Sequence, residues 1–253
     1  MKIGSLIFLT SFLFFSQTLM AQQGAFDQAN TLLESGKPME AMQAYRNIET
    51  DGSVSGALYL NMGITAMQLD SFGLSKFYYL KAEQFPSTQS QASEALNYVD
   101  SQFSRQSAIL PKLPWDRAID WVNQKLTAFG LFLIGFFFTL AGLTLLYLGW
   151  LNKLPLNKTF STQLTLIILG SSLALLAFYA DYVNQRYHEA VLVSSSQRVL
   201  ELPDDESPLV SIAYEGYDLT VDKWESKEED GWIYVRLGNG QYGWIKPEGI
   251  KVL

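Results

Sequence analysis

Two long apolar runs lie in the middle of this chain of 253 residues. No charged residue lies between Lys125 and Lys153, and none lies between Lys158 and Asp181. Each run is close to or above the ~20 residues that a helix needs to cross the hydrocarbon core of a bilayer. The pattern therefore predicts transmembrane helices over residues 128–151 and 163–181.

The residues that join the two predicted spans form a short loop, over residues 152–162. This loop contains Lys153 and Lys158 but no acidic residue. Because short cytoplasmic loops are enriched in lysine and arginine, the loop is predicted to be cytoplasmic. Both flanking segments would then lie in the periplasm, outside a bacterial inner membrane.

Residues 1–21 have the pattern of a secretory signal peptide. Lys2 precedes an apolar stretch that ends at Ala21, and cleavage is predicted before Gln22. An uncleaved anchor helix is the alternative. A signal peptide would export the following segment, in agreement with the cytoplasmic loop.

Small residues recur at every seventh position of the first predicted span. They are Ala128, Gly135, Gly142 and Gly149. Seven residues are about two helical turns, so these residues share one stripe that another helix can approach closely. Gly170 and Ala177 share a face of the second span. We predict that Gly135, Gly142 and Gly149 pack the two spans as a hairpin, with docking of another membrane subunit as the alternative.

A period of 34 residues runs through the predicted helical segment at residues 22–105. Equivalent positions carry Ala29 and Gly63, Ala41 and Ser75, and Tyr45 and Tyr79. The pattern resembles the tetratricopeptide repeat, which implies that these small residues lie where paired helices touch. Asp70 stands where the period would repeat the turn glycine Gly36. A third unit provides only one helical pattern before Pro111, so either that helix or a partner is predicted to cover the open end of the stack. Residues 106–127 are predicted to form a juxtamembrane helix.

Short β-rich runs replace the helical pattern in residues 182–253. Asn239-Gly240 between two such runs is a strong hairpin signal. The strand period of two places Ile233, Val235 and Leu237 on one face, which we predict to be core. Trp232 and Tyr234 share the opposite face and, with Trp244, form the candidate partner-binding surface.

Composition excludes several kinds of site. The chain has no cysteine and one histidine, His188, so it provides no thiolate, disulfide or two-histidine zinc site. It contains neither a phosphate-binding loop nor a Gly-x-Ser-x-Gly motif, so no catalytic residue, cofactor or metal site is predicted. Residues 189–253 contain 13 acidic and 6 basic side chains, which argues against nucleic acid as a partner.

Two segments of the chain resemble known families. The 34-residue pattern is similar to the tetratricopeptide repeat, and Gly231-Trp232 followed by Gly240 and Gly243-Trp244 resembles the bacterial SH3 domain. The resemblances imply a multidomain membrane protein with three parts. These are all-α tetratricopeptide-like repeats, a transmembrane helical hairpin, and a small all-β SH3-like barrel of five or six strands.

The order of these segments resembles that of the BatE proteins of bacterial aerotolerance operons. The resemblance implies a non-enzymatic scaffold in an envelope stress or aerotolerance complex. Its expected partners are the lipid bilayer and other membrane or periplasmic proteins, including subunits with von Willebrand factor A domains. The alternative is a membrane protein that binds peptidoglycan through the barrel and recruits a hydrolase.

Overall fold

The computed structural model describes residues 23–103, 117, 121, 126–151, 155–227 and 231–253. The predicted signal peptide and most of the predicted juxtamembrane helix lie outside these residues. The described residues form two compact units. One contains those of Met1–Ile109 and Glu189–Leu253, and the other those of Leu110–His188.

Five helices lie between residues 23 and 103. They are α1 (residues 23–34), α2 (Pro38–Thr50), α3 (Gly56–Gln68), α4 (Phe72–Glu83) and α5 (Gln89–Gln102). The predicted small positions are buried where these helices meet. Tyr45 and Tyr79 are 0% and 1% exposed, so both tyrosines pack in the interior of the helical stack.

The 34-residue period is present in the backbone of two helix ends. At the end of α1, Gly36 N donates to Leu33 O and Lys37 N donates to Leu32 O. At the end of α3, 34 residues later, Asp70 N donates to Met67 O and Ser71 N donates to Ala66 O. Gly36 and Asp70 both adopt left-handed backbone, with φ of 73° and 54°. This is the Schellman ending of a helix, which glycine adopts without strain and aspartate tolerates.

Two further helices are long and apolar enough to cross a membrane. They are α6 (Ala128–Trp150) and α7 (Leu156–Arg186), which contain 18-residue windows with mean hydropathies of 2.3 and 1.8. α7 begins inside the segment predicted as a loop and extends beyond the predicted span. Hydrophobicity limits the part of a helix that can lie in lipid, but it does not end the helix.

An antiparallel sheet follows α7. Its strands are β1 (Tyr187–Leu192), β2 (Ser196–Leu200), β3 (Leu209–Tyr214), β4 (Asp218–Asp222), β5 (Ile233–Leu237), β6 (Tyr242–Ile245) and β7 (Ile250–Val252). The order is β3-β2-β6-β5-β4-β1-β7. The structure confirms the predicted combination of helices with a C-terminal sheet, but the sheet has seven strands rather than five or six. β1 pairs with β7, with Ala190 opposite Val252.

The helices α1–α5 and the sheet share part of their core. Val191 of β1 is fully buried in the same apolar cluster as Tyr45 and Tyr59, and Leu253 packs against that cluster. The sequence patterns place these two segments in separate domains, whereas in the structure they belong to one compact unit.

Candidate functional site

The hairpin of β5 and β6 positions the predicted aromatic residues. Tyr234 lies opposite Trp244 in the antiparallel register, and Gly240 in the connecting turn has a φ of 84°. Val235 and Leu237 are buried in the sheet core, and Ile233 packs against it, as the alternation predicts. The side chains on the opposite face of the hairpin therefore include the aromatic candidates.

The aromatic face consists of Trp232, Tyr234, Tyr242 and Trp244. The ring of Tyr234 lies 5.0 Å from that of Trp244 and stacks on Tyr242 at 6.2 Å, centroid to centroid. Trp244 is only 8% exposed, whereas Tyr242 is 52% exposed. Trp244 therefore packs beneath the exposed rings of this face. Tyr242 is more accessible to a partner molecule, but it was not among the residues selected from the sequence. The alternation that places Trp244 on this face also places Tyr242 there.

Charged groups border the aromatic face. Lys246 Nζ lies 5.1 Å from the Trp232 ring centroid and 2.7 Å from Asp205 Oδ2. Partial burial raises the pKa of the Tyr234 hydroxyl above its usual value, and the negative charge of Glu225 adds to this effect. A neutral aromatic surface bordered by both basic and acidic groups is suited to stacking against a ligand and to polar contacts with its charged groups.

The predicted glycine stripe of α6 faces α7. A Cβ added at Gly135 would lie 2.7 Å from Gly170 O, and one at Gly142 would lie 2.9 Å from Gln163 O. Gly149 is also buried. The glycine stripe therefore packs against the chain's own second helix.

Gln163 is a buried polar residue that the sequence reasoning missed. Its Nε2 donates hydrogen bonds to Leu145 O at 3.2 Å and to Thr159 Oγ1 at 2.9 Å. Gln163, Gly170 and Ala177 are buried at seven-residue spacing, which matches the spacing of the α6 glycines. Extending the heptad back from Gly170 would have located this residue.

A cluster of polar contacts, separate from the aromatic face, joins α4 and α5 to the sheet. Lys76 Nζ lies 3.1 Å from Asp100 Oδ1 of α5 and 2.9 Å from Asp218 Oδ1 of β4. Glu215, in the turn before β4, accepts a hydrogen bond from Gly73 N at 2.7 Å. None of these residues was a sequence-based candidate, because no local pattern indicates that α4 meets the sheet.

No family model matches this chain, and no curated protein matches it. Among the described residues, no group of three or more carboxylate or imidazole side chains is arranged to hold a metal ion.

Proposed function

We propose that this protein is a non-enzymatic adaptor anchored in a bacterial inner membrane. In this proposal α6 and α7 cross the bilayer as a hairpin, and the unit of helices α1–α5 with the sheet lies in the periplasm. The helices act as tetratricopeptide-like repeats and the sheet as an SH3-like barrel, and the aromatic face contacts a partner protein.

The main support is the shared core of two segments that lie on either side of the hairpin in sequence. Val191 can pack among the side chains of α1–α5 only if both segments are on the same side of the membrane. Two membrane crossings between the segments meet this condition, whereas a single crossing would place the segments on opposite sides. Lys153 and Lys158 in the short connection favour a cytoplasmic loop, and hence a periplasmic unit.

Cysteine labelling tests this topology, since the native chain has no cysteine. Three exposed residues are suitable for substitution by cysteine: Ser90 in α5, Glu206 in the β2–β3 loop and Pro155 between the spans. The variants are Ser90→Cys, Glu206→Cys and Pro155→Cys. With the outer membrane opened, a membrane-impermeant maleimide should label the first two variants. Pro155→Cys should react only after the inner membrane is broken. Labelling of Ser90→Cys and Glu206→Cys from opposite sides would refute the hairpin.

Site-specific crosslinking tests the partner surface. A photoreactive phenylalanine at Tyr242, on the aromatic face, should form an adduct in living cells. The same residue at Tyr98 of α5 is a matched control, because the two tyrosines are 52% and 56% exposed. The resemblance to BatE proteins makes subunits with von Willebrand factor A domains the first partners to examine. Adducts at Tyr98 alone would move the partner site away from the sheet.

Peptidoglycan binding is the second candidate function. Exposed aromatic rings such as Tyr242 can stack on sugar rings as well as on peptides. Purified sacculi should then retain the full-length protein in detergent, and Tyr242→Ala should release it. If sacculi do not retain the protein while crosslinking succeeds, the adaptor proposal is favoured.

A further inference from the structure

α4 uses two different faces for packing. Ser75, Tyr79 and Ala82 are buried towards α3, where Ser75 Oγ donates a hydrogen bond to Gly63 O at 2.8 Å. At 100° per residue, Lys76 lies roughly 90° and Gly73 roughly 150° around the helix from this buried face, and both meet the sheet. We call the second contact region the α4–sheet interface. It consists of Gly73, Lys76, Asp100, Phe103, Glu215, Gly216 and Asp218.

The N-terminus of α4 is capped by the sheet. Ser71 at its N-cap makes no side-chain capping hydrogen bond, whereas Ser55 caps α3 by accepting one from Leu58 N at 3.1 Å. In α4, the carboxylate of Glu215 accepts the hydrogen bond from Gly73 N instead. A carboxylate at this position satisfies a free N–H group and interacts favourably with the helix dipole.

Lys76 is a buried cation whose charge is balanced from both sides of the interface. Its side chain is 7% exposed, and Nζ reaches Gly216 O at 3.0 Å as well as Asp100 and Asp218. An ammonium group has three donors, and these three acceptors can use all of them. Without the sheet, Lys76 would lose two of the three acceptors. A buried charge that loses its partners is strongly destabilising.

Phe103, immediately after α5, packs against the turn between β3 and β4. Gly216 in that turn has a φ of 81°, and a Cβ at this position would overlap the Phe103 ring. The end of α5 is therefore fitted to a turn that accepts only glycine without rearrangement.

From these contacts we infer that the sheet is the closing cap of the helical stack. α4 and α5 depend on it for a helix cap, for a charge partner and for an apolar contact. The sheet and the helices therefore fold as one cooperative unit, although the two apolar helices separate them in sequence. This inference goes beyond the adaptor proposal, because it concerns the folding of the unit rather than a partner.

Two glycine substitutions test the inference in the full-length protein in detergent. Gly216→Ala and Gly231→Ala both place a side chain at a φ of 81°, but a Cβ at residue 231 meets nothing within 4 Å. Both variants strain the sheet segment, and only Gly216→Ala also disturbs Phe103. Hydrogen exchange of α4 and α5, followed by mass spectrometry, should rise about tenfold or more in Gly216→Ala and much less in Gly231→Ala. Equal exchange from these helices in the two variants would overturn the inference.

A second pair of variants covers the case in which Gly216→Ala fails to fold. Glu215→Ala removes the cap of α4, whereas Glu201→Ala removes an exposed carboxylate elsewhere in the sheet segment. Exchange of the first-turn amides of α4 should accelerate in Glu215→Ala and not in Glu201→Ala. If the first-turn amides stay as protected in Glu215→Ala as in the native protein, α4 does not depend on the sheet.

Discussion

At the scale of single residues, the tyrosines of the helical stack carry much of its packing. Tyr79 is 1% exposed, and its ring occupies the space that the missing side chain of Gly63 leaves. Tyr79→Ala should lower the free energy of unfolding by about 3–5 kcal/mol, the usual cost of deleting a large buried aromatic side chain. Tyr98→Ala, at a position 56% exposed, is the control and should cost far less. Thermal melts followed by circular dichroism would compare the two.

The same tyrosines predict a loss of stability at alkaline pH. Burial raises the pKa of Tyr45, Tyr78 and Tyr79 above the usual value of 10.0. The folded state thus holds these protons more tightly than the unfolded chain does. Their contribution to stability is complete below pH ~10 and is lost as the pH rises through the raised pKa values.

Melting temperatures between pH 8 and 11 would measure this effect. The melting temperature should fall above pH ~10, and the fall should be less steep in Tyr79→Phe, which has no proton to lose there. A decline as steep in Tyr79→Phe as in the native protein would show that Tyr79 does not contribute to it.

The repeated turns at Gly36 and Asp70 provide an internal comparison. Both residues have left-handed backbone, and an added Cβ at residue 36 meets nothing within 4 Å. Gly36→Ala should therefore cost about 1 kcal/mol through backbone strain alone, and Asp70→Gly should stabilise by up to about 1 kcal/mol. Chemical denaturation of the two variants checks the signs, and destabilisation by Asp70→Gly would show that its carboxylate stabilises the turn.

Single residues also mark the limit of the sequence reasoning. Alternation placed Val235 in the core and Trp244 on the opposite face, but it could not show that Trp244 is 8% exposed. Burial of that ring results from the neighbouring Tyr234 and from pairing of Leu200 with Trp244, a contact across 44 residues. The sheet partners of Lys76, Gly216 and Asp218, are more distant still in sequence, at 140 and 142 residues.

At the scale of the elements, the hairpin of α6 and α7 depends on close backbone approach. Gly142→Leu would place a side chain against Ile167 and the backbone of Gln163. Ala141→Leu adds bulk at the adjacent, exposed position and is the matched control. Gly142→Leu should reduce the steady-state level of the membrane-inserted protein, and Ala141→Leu should not. Immunoblots of membrane fractions would measure this, and equal levels would show that the stripe tolerates separation of the helices.

The β5–β6 hairpin predicts opposite outcomes for its two faces. Val235 is fully buried, so Val235→Ala should lower the free energy of unfolding by about 2 kcal/mol. Trp232 is only partly buried, and Trp232→Ala should keep the fold and weaken crosslinking from residue 242. A melting temperature lowered more by Trp232→Ala than by Val235→Ala would assign Trp232 to the core.

The types of the elements were predictable from the sequence, but some of their ends and pairings were not. Apolar runs and the seven-residue stripe located α6 and α7, yet the start of α7 at Leu156 lies in a polar stretch that resembles a loop. Asn239-Gly240 located the hairpin of β5 and β6. β1 and β7 are the first and last strands of the sheet, and no short turn connects them. Their pairing therefore leaves no local signal in the sequence.

At the scale of the whole molecule, the sequence predicted the order of the parts but not the contact between helices and sheet. The hydrophobic pattern of α4 indicates how α4 packs on α3, since Ser75, Tyr79 and Ala82 follow helical spacing. Gly73 and Lys76 carry no such signal, because a lysine usually faces solvent and a single glycine does not indicate which element lies next to it. Only the folded chain brings Glu215 and Asp218 to them.

The repeated turn geometry has a consequence for how such a chain can change in length. A 34-residue unit added between α2 and α3 would meet the same helix surfaces and the same turn that the existing units provide. A unit added after α5 would separate Phe103 and Lys76 from the sheet. Gene duplication or protein engineering could therefore lengthen the stack from within, whereas its end next to the sheet is fixed.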